Sequence, residues 1–256
     1  MHGFPDNHHL YDRLVPFLAG RRVVTFDFLG WGGSDKPSDH EYTFANQVGD
    51  LDAVIEGLDL ARVVLVVHDA SGPAGINWAL DHPQRVAAIV ALNTFYSLQP
   101  DTPLKPPEAI RLFSDPDYAR LTDHFAASPP QFRWLYDFQV GGFIRDDQVR
   151  SDFVPLLYRQ FEATPSTLGP FLALNRDLTP AVLENTARAS ELATLEAPVR
   201  CAFGASDPYL DPPLARSLAA LFAHGEVTLI PDVGHFPQLD APHETAEAIL
   251  TAPGVS

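Results

Sequence analysis

Five short apolar runs that contain β-branched residues constrain the fold of this chain more than any other feature. Each run is continuous rather than alternating, which is typical of strands buried on both faces of a parallel sheet. The runs are residues 21–28, 62–67, 85–93, 198–204 and 226–232. Helical patterns lie among them, at residues 44–60, 74–85, 213–223 and 241–252. Strands that alternate with helices predict an α/β fold with a doubly wound, mostly parallel sheet.

A long segment without strand patterns separates the third run from the fourth. Residues 96–190 are rich in aromatic residues and proline, with helical patterns and no clear strand. An irregular connection of this length is uncommon in a compact domain. We therefore predict a helical cap over residues 96–190, inserted into a core formed by residues 1–95 and 191–256.

Composition limits the partners of the chain. The formal net charge is −16, so nucleic acid and anionic membrane surfaces would both repel it. There is no apolar run of the roughly 18 residues that predict a membrane span. The single cysteine, Cys201, excludes an internal disulfide, and no ligand set predicts a metal site. We expect a cytoplasmic enzyme without cofactor or metal, whose partners are a small apolar substrate and water.

The stretch "VVLVVHDASGPAG" (residues 63–75) leads from a strand pattern into a polar corner marked by glycine. Strand, sharp turn and helix in succession describe a nucleophile elbow, in which the turn exposes one side chain and the next backbone N–H stabilises an oxyanion. Asp69 directly follows the strand, whereas Ser71 would need a strand two residues longer. The pattern favours Asp69 as the nucleophile and Ala70 as an N–H donor. A serine-type esterase using Ser71 is an alternative, and His68 is predicted to pack beside the turn.

Two later strands end in further polar residues. "FGASDPYLDP" (203–212) places Asp207 after the fourth run, and "DVGHFPQLD" (232–240) places His235 after the fifth. A nucleophile, an acid and a histidine in this chain order match a set in which the acid orients the histidine. Asp211 is a competing acid, but it lies further from the strand end and is better placed to cap the next helix.

The opening turn "HGFPDN" (residues 2–7) supplies one more candidate. The backbone N–H of Phe4 can act as a second donor to an oxyanion. Phe4 and Ala70 are therefore predicted to form the oxyanion or halide pocket.

The stretches "HGFP", "GWGGSDKP", "HDASG" and "GHFPQLDAP" together resemble the α/β-hydrolase superfamily, in particular its aspartate-nucleophile branch of epoxide hydrolases and haloalkane or haloacid dehalogenases. The resemblance implies that an aspartate attacks carbon to form an alkyl-enzyme ester, which a histidine-activated water then hydrolyses. It assigns Asp69 as nucleophile, His235 as base and Asp207 as the orienting acid. It also implies strands before "HGFP", so the expected core lacks its N-terminal strands.

Departures from the family pattern separate the candidate substrates. Dehalogenases of this branch commonly have tryptophan after the nucleophile, where this chain has Ala70, and a polar residue at the position of Phe4. We therefore expect an epoxide hydrolase, with a haloalkane or haloacid dehalogenase as the alternative. Similarity to epoxide hydrolases implies a cap tyrosine as proton donor, with Tyr158 the first candidate and Tyr136 the second. Trp134 is the candidate halide donor in the cap, and a non-catalytic ligand-binding protein is a further alternative.

Overall fold

A single parallel sheet forms the centre of the protein. The computed structural model describes residues 1–99 and 108–255. In that part of the chain, four strands pair in the order β1-β2-β3-β4, all in parallel. They are β1 (Val63–Asp69), β2 (Val86–Thr94), β3 (Val199–Gly204) and β4 (Gly225–Ile230). Four of the five predicted strands and the parallel sheet are thus confirmed.

Helices precede, connect and follow the strands. Helix α1 (Phe44–Gly57) precedes β1, α2 (Ser71–Asp81) joins β1 to β2, and α8 (Pro212–Ala219) joins β3 to β4. The chain then continues after β4 into α9 (Pro237–Asp240) and α10 (Pro242–Leu250). Helix α2 packs against α1, β1 and β2, and α8 packs against β3 and β4. The predicted alternation of strands and helices is present.

The described residues between β2 and β3 form five α-helices, which we call the helical segment. They are α3 (Glu108–Ser114), α4 (Ala119–Ala126), α5 (Pro129–Phe143), α6 (Asp147–Glu162) and α7 (Leu168–Arg188). The described residues of this region contain no strand. Residues 100–107 of the predicted cap lie outside the described residues.

Burial follows position in the sheet. The middle residues of β2, Ile89–Leu92, have no solvent exposure, because β2 lies inside the sheet and helix α2 packs against it. β4 pairs only with β3, and its first residues are exposed. The continuous apolar run of β2 is what a strand covered on both faces requires.

The predicted strand over residues 21–28 is wrong. Residues 22–28 have no regular secondary structure and no ladder partner, and Val23 remains 38% exposed. A groove of about 670 Å³ separates residues 21–26 from β1. The composition of this run is suited to a strand, but a strand also needs a neighbour within hydrogen-bonding distance. We call this space the β1 groove.

The amino end of the chain lies at the same groove. The amino group of Met1 donates a hydrogen bond of 2.6 Å to the backbone oxygen of Val66 in β1. The side chains of Tyr11 and Leu14 line the groove nearby. No helix in the described part of the chain has the length and apolar character needed to cross a membrane.

Candidate active site

A strained turn between β1 and α2 presents Asp69. Asp69 is the last residue of β1, and its φ is +48°, in the left-handed region that residues other than glycine rarely adopt. Small residues let the turn approach its neighbours. A Cβ on Gly72 would overlap the side chain of Thr94, and one on Gly3 would lie 2.6 Å from the Cβ of Asp69. Such strain at a strand-to-helix turn is typical of a nucleophile elbow.

Backbone N–H groups hold the carboxylate of Asp69. The N–H of Phe4 donates to Oδ2 of Asp69 at 3.0 Å, and the N–H of Ala70 also donates to this carboxylate. Both groups are fixed by the backbone, and together they can stabilise negative charge on an oxygen at this position. The structure therefore brings Phe4 and Ala70 to the same carboxylate.

Asp207 and His235 complete a line of three side chains with Asp69. Nδ1 of His235 binds Oδ2 of Asp207 at 2.7 Å, and Nε2 of His235 lies 3.8 Å from Oδ1 of Asp69. The other oxygen of Asp207 accepts hydrogen bonds from the N–H groups of Tyr209 (2.9 Å) and Leu210 (3.1 Å). The acid is thus held in place, and it orients the histidine towards Asp69.

The charges of these three residues are strongly coupled. Burial opposes a charge on His235, but the carboxylates of Asp207 and Asp69 outweigh it and raise the pKa of His235 to about 9. Burial raises the pKa of Asp69, against the opposing effect of His235 and the two N–H donors. Burial also opposes the charge of Asp207, but His235 lowers its pKa below the usual value. The two carboxyl groups thus favour the charged, imidazolium form of His235.

An apolar cavity of about 330 Å³ opens onto Asp69 and His235. The sheet and the helical segment both contribute to its wall, and its apolar lining includes Phe95, Leu98, Val140, Phe143, Val182 and Leu183. Besides Asp69 and His235, the polar side chains among the described lining residues are Gln139, Thr179 and Tyr209. None of the described lining residues is lysine or arginine. The site is suited to a small, uncharged, apolar molecule.

Comparison with known proteins identifies the family. The sequence profile of the alpha/beta hydrolase fold matches residues 1–242. The chain belongs to the α/β-hydrolase fold family. A haloalkane dehalogenase 1 from Mycobacterium bovis is 31% identical over 260 residues, covering 98% of this chain and 81% of the relative. A haloalkane dehalogenase from Mycobacterium marinum is 28% identical over 260 residues, covering 98% and 82%. This chain is accordingly a hydrolase.

A solved structure supports the fold of this hydrolase. The α/β-hydrolase fold protein from Burkholderia ambifaria superposes with a TM-score of 0.80 at 21% sequence identity. The match covers 98% of this chain and 88% of that protein. At this level of identity, the likeness extends to the fold and carries no statement about substrates.

The aromatic residues predicted from the cap pattern do not line the cavity of the hydrolase. Tyr136 and Tyr158 are buried in the helical segment, where their rings pack 5.0 Å apart. Trp134 is 62% exposed and stacks on Phe138. Trp134, Tyr136 and Phe138 lie on α5 and Tyr158 lies on α6. The periodicity of these helices alone does not say which face meets the core. Tyr209 does line the cavity, and sequence analysis missed it although it follows Asp207 by two residues.

The other polar residues of the elbow have structural partners. The hydroxyl of Ser71 lies 2.8 Å from the backbone oxygen of His68 and 3.0 Å from its N–H. Ser71 is therefore bound to the backbone of β1 rather than to His235. Nε2 of His68 lies 2.9 Å from the backbone oxygen of His235. His68 consequently ties the histidine loop to β1.

Two further residues near Asp207 complete the description. Asp211 accepts a hydrogen bond of 3.1 Å from the N–H of Leu214 and caps α8, as predicted. Asn93, at the end of β2, is fully buried, and its side-chain oxygen accepts the N–H of Gly204 at 2.7 Å. Sequence analysis missed Asn93, although a polar residue at the end of a long apolar run was a signal for it.

Proposed function

We propose that this hydrolase cleaves the carbon–halogen bond of small, uncharged haloalkanes through an ester on Asp69. The position of Asp69 carries the proposal: a carboxylate, rather than a serine, stands at the elbow and faces His235 across 3.8 Å. A buried carboxylate in an apolar cavity attacks saturated carbon well because water does not stabilise its charge. The two mycobacterial relatives are named haloalkane dehalogenases, which favours this substrate class over the epoxides expected from sequence alone.

The first step follows from the way Asp69 is held. Phe4 anchors Oδ2, so Oδ1 is the oxygen available for attack. A new bond forms between Oδ1 and the substrate carbon while the carbon–halogen bond breaks, and the halide leaves with the bonding electrons. The product is a neutral ester. Fixing one oxygen orients the other, which lowers the entropic cost of reaching the transition state.

The second step uses His235 as a base. Water gives a proton to Nε2 of His235, and its oxygen attacks the carbonyl carbon of the ester on Asp69. The N–H groups of Phe4 and Ala70 stabilise the resulting oxyanion. The intermediate then releases the alcohol, which takes the proton back from His235 and leaves a carboxylic acid on Asp69. This acid passes its proton to Nε2 of His235, 3.8 Å away, which restores the carboxylate and the charged histidine of the free site.

Ester formation also prepares the histidine. The charge of Asp69 is one of the causes that raise the pKa of His235 to about 9 in the free site. The ester carries no charge, so this contribution disappears and His235 loses its proton more readily. The base therefore becomes available when the ester needs it.

The residues that line the cavity favour a haloalkane over a haloacid and offer hydrogen-bond donors for the halide. A haloacid needs a cation to bind its carboxylate, and no described lining residue is lysine or arginine. Gln139, Thr179 and Tyr209 offer N–H and O–H donors for the departing halide. Helices α5 and α7 supply Gln139 and Thr179, so we propose that the helical segment, within residues 96–190, is the cap of the site.

Trapping the ester tests this function. The His235→Gln variant, given excess 1-bromobutane, should release about one bromide per protein and gain the mass of a butyl group on the peptide that contains Asp69. The Asp69→Asn variant should release no bromide and gain no mass. A butyl group on Ser71, or wild-type turnover without any covalent adduct in His235→Gln, would contradict the proposal.

Epoxide opening is the second candidate, and Tyr209 favours it. Its ring lines the cavity and packs edge-on against Phe143, whose own ring lies 4.8 Å from that of His235. A tyrosine hydroxyl there can protonate the oxygen of an opening epoxide. The Tyr209→Phe variant should then no longer form diol from styrene oxide. The Tyr158→Phe variant should still form it, because Tyr158 is buried in the helical segment and does not line the cavity. Absence of diol with wild-type enzyme would dismiss this candidate.

A further inference from the structure

A second buried carboxylate lies behind the catalytic group. Asp6 is 1% exposed, and neither of its carboxyl oxygens has a hydrogen-bond partner among the described residues. Oδ2 of Asp6 lies 4.0 Å from Nδ1 of His68, which is also buried and unpartnered. The proposed mechanism gives Asp6 no part. A buried polar group without a partner is costly, so its presence calls for an explanation.

The tautomer of His68 is fixed by its other nitrogen. A backbone carbonyl oxygen only accepts hydrogen bonds, so Nε2 of His68 must carry the hydrogen that it donates to the oxygen of His235 at 2.9 Å. Burial lowers the pKa of His68 well below its usual value, so the ring is neutral. Nδ1 of His68 therefore presents a lone pair towards Asp6.

The groups around Asp6 stabilise a negative charge on its carboxyl group only weakly. A carboxylate has no proton to offer the lone pair of His68, and the charge of Asp69 repels it. The hydroxyls of Tyr11 and Tyr136 are neutral, and His235 is the nearby cation. Burial, and then Asp69, raise the pKa of Asp6 to about 7 against the effect of His235. A protonated Asp6, by contrast, can direct its O–H towards the lone pair of His68.

We propose that Asp6 is a positioning residue whose protonated form, through His68, fixes the loop of His235 beside Asp69. The chain of contacts runs from the acid of Asp6 to Nδ1 of His68, and from Nε2 of His68 to the backbone of His235. His68 also precedes Asp69 in β1. One ring therefore connects the nucleophile and the base, and Asp6 supports that ring. This role in catalysis rests on the proposed function.

Two substitutions at Asp6 distinguish the effect of its hydrogen-bond donor from the effect of its side-chain size. Asp6→Asn keeps the size and an N–H donor but cannot ionise, whereas Asp6→Leu keeps the size and removes the donor. Asp12→Asn is the matched control, because Asp12 is an exposed carboxylate of the same segment. The measurements are the melting temperature between pH 4 and 8, and the rate at which the butyl ester on Asp69 hydrolyses after a single turnover.

The melting temperature tests the protonation state without any substrate. The pKa of Asp6 is raised in the folded protein. Its contribution to the stability of the wild type is therefore fully present below about pH 4 and is lost as the pH rises through about 7. Asp6→Asn has no such loss. The melting temperature of Asp6→Asn minus that of the wild type should therefore increase from pH 4 to pH 7. The same difference for Asp12→Asn should show no such increase. A difference that stays constant with pH would overturn the protonated state.

The ester hydrolysis rate tests the positioning role. We expect Asp6→Leu to be at least about tenfold slower than Asp6→Asn, because a small displacement of a catalytic group costs much of the rate. The ratio of Asp6→Asn to wild type should increase as wild-type Asp6 ionises near pH 7. Equal rates for the Asn and Leu variants would overturn the role. If no ester forms in any protein, the proposed function fails, and the melting temperatures still decide the state of Asp6.

Discussion

The side chain of Asn93 donates a hydrogen bond of 2.9 Å to Oδ2 of Asp207, the same oxygen that binds His235 at 2.7 Å. Its oxygen meanwhile accepts the N–H of Gly204. Asn93 therefore links the end of β2 to the end of β3 and fixes the acid between two donors. The carboxylate of Asp207 is therefore held by a residue of a neighbouring strand as well as by its own loop.

Replacing Asn93 tests this link. Asn93→Ala should lower kcat about tenfold and the free energy of unfolding by about 1–3 kcal/mol, because buried groups lose their partners. Asn46→Ala is a suitable control, since the side chain of Asn46 is exposed and, among the described residues, bonds only the backbone oxygen of Glu41. Steady-state kinetics and urea unfolding measure both effects. An Asn93→Ala enzyme with the kcat of the wild type would show that Asp207 does not need this donor.

Asp69 and Ser71 should respond very differently to substitution. Asp69→Asn should lower kcat at least about 10³-fold, because the nucleophile is lost. Ser71→Ala removes a hydroxyl that bonds the backbone of His68, so it should cost about 1 kcal/mol of stability and keep most of the activity. Bromide release and thermal unfolding distinguish the two. Loss of turnover in Ser71→Ala with Asp69→Asn still active would assign the nucleophile to Ser71.

The charge of His235 should make stability depend on pH. Its pKa is raised from 6.5 to about 9 in the folded protein, so its contribution is fully present below pH 6.5 and is lost as the pH rises through about 9. The melting temperature of the wild type should exceed that of His235→Gln, and this excess should be largest near pH 6.5. The excess should shrink towards pH 10. An excess that grows with pH would show that burial, rather than the carboxylates, controls His235.

The indole of Trp134 should have no part in halide binding. It is exposed and stacks on Phe138, and it does not line the cavity. Trp134→Phe should keep the kinetic constants for bromobutane, whereas Gln139→Leu removes a donor from the cavity and should lower kcat/KM about tenfold. Bromide release measures both variants. A strong loss in Trp134→Phe alone would place the halide near the outer face of α5.

Glycine at position 204 should be essential for bringing the acid and histidine loops together. A Cβ on Gly204 would overlap the backbone oxygen of Gly234, next to His235. Gly204→Ala should destabilise the protein by about 2–3 kcal/mol and lower activity. Gly142→Ala in α5 meets no atom within 4 Å and should instead add about 0.5–1 kcal/mol of stability. Equal stability of the two variants would contradict the close packing of these loops.

Sequence motifs indicate three residues of the candidate site because each lies at the end of a strand or a few residues after it. Asp69, Asp207 and His235 were placed by short motifs, and parallel strands carry their ends to one edge of the sheet. The structure brings these three together. A motif at the end of a strand thus indicates at which edge of the sheet its residue lies, even without knowledge of the side-chain packing.

The remaining features depend on contacts that sequence patterns do not encode. The run at residues 21–28 has strand composition but no neighbour with which to pair. Tyr136 and Tyr158 lie on helices with aromatic residues on several faces, and only packing decides which face meets the cavity. Asp6 and Asn93 are polar residues whose burial depends on distant elements. Their importance becomes visible only once their partners are known.

The edge of β1 that faces the groove has a consequence for the strand that ends at Asp69. In the described part of the chain, β1 pairs with β2 alone, and the β1 groove lies along its other edge. Backbone N–H groups that point into the groove should therefore exchange with solvent faster than those of β2, which has a strand on either side.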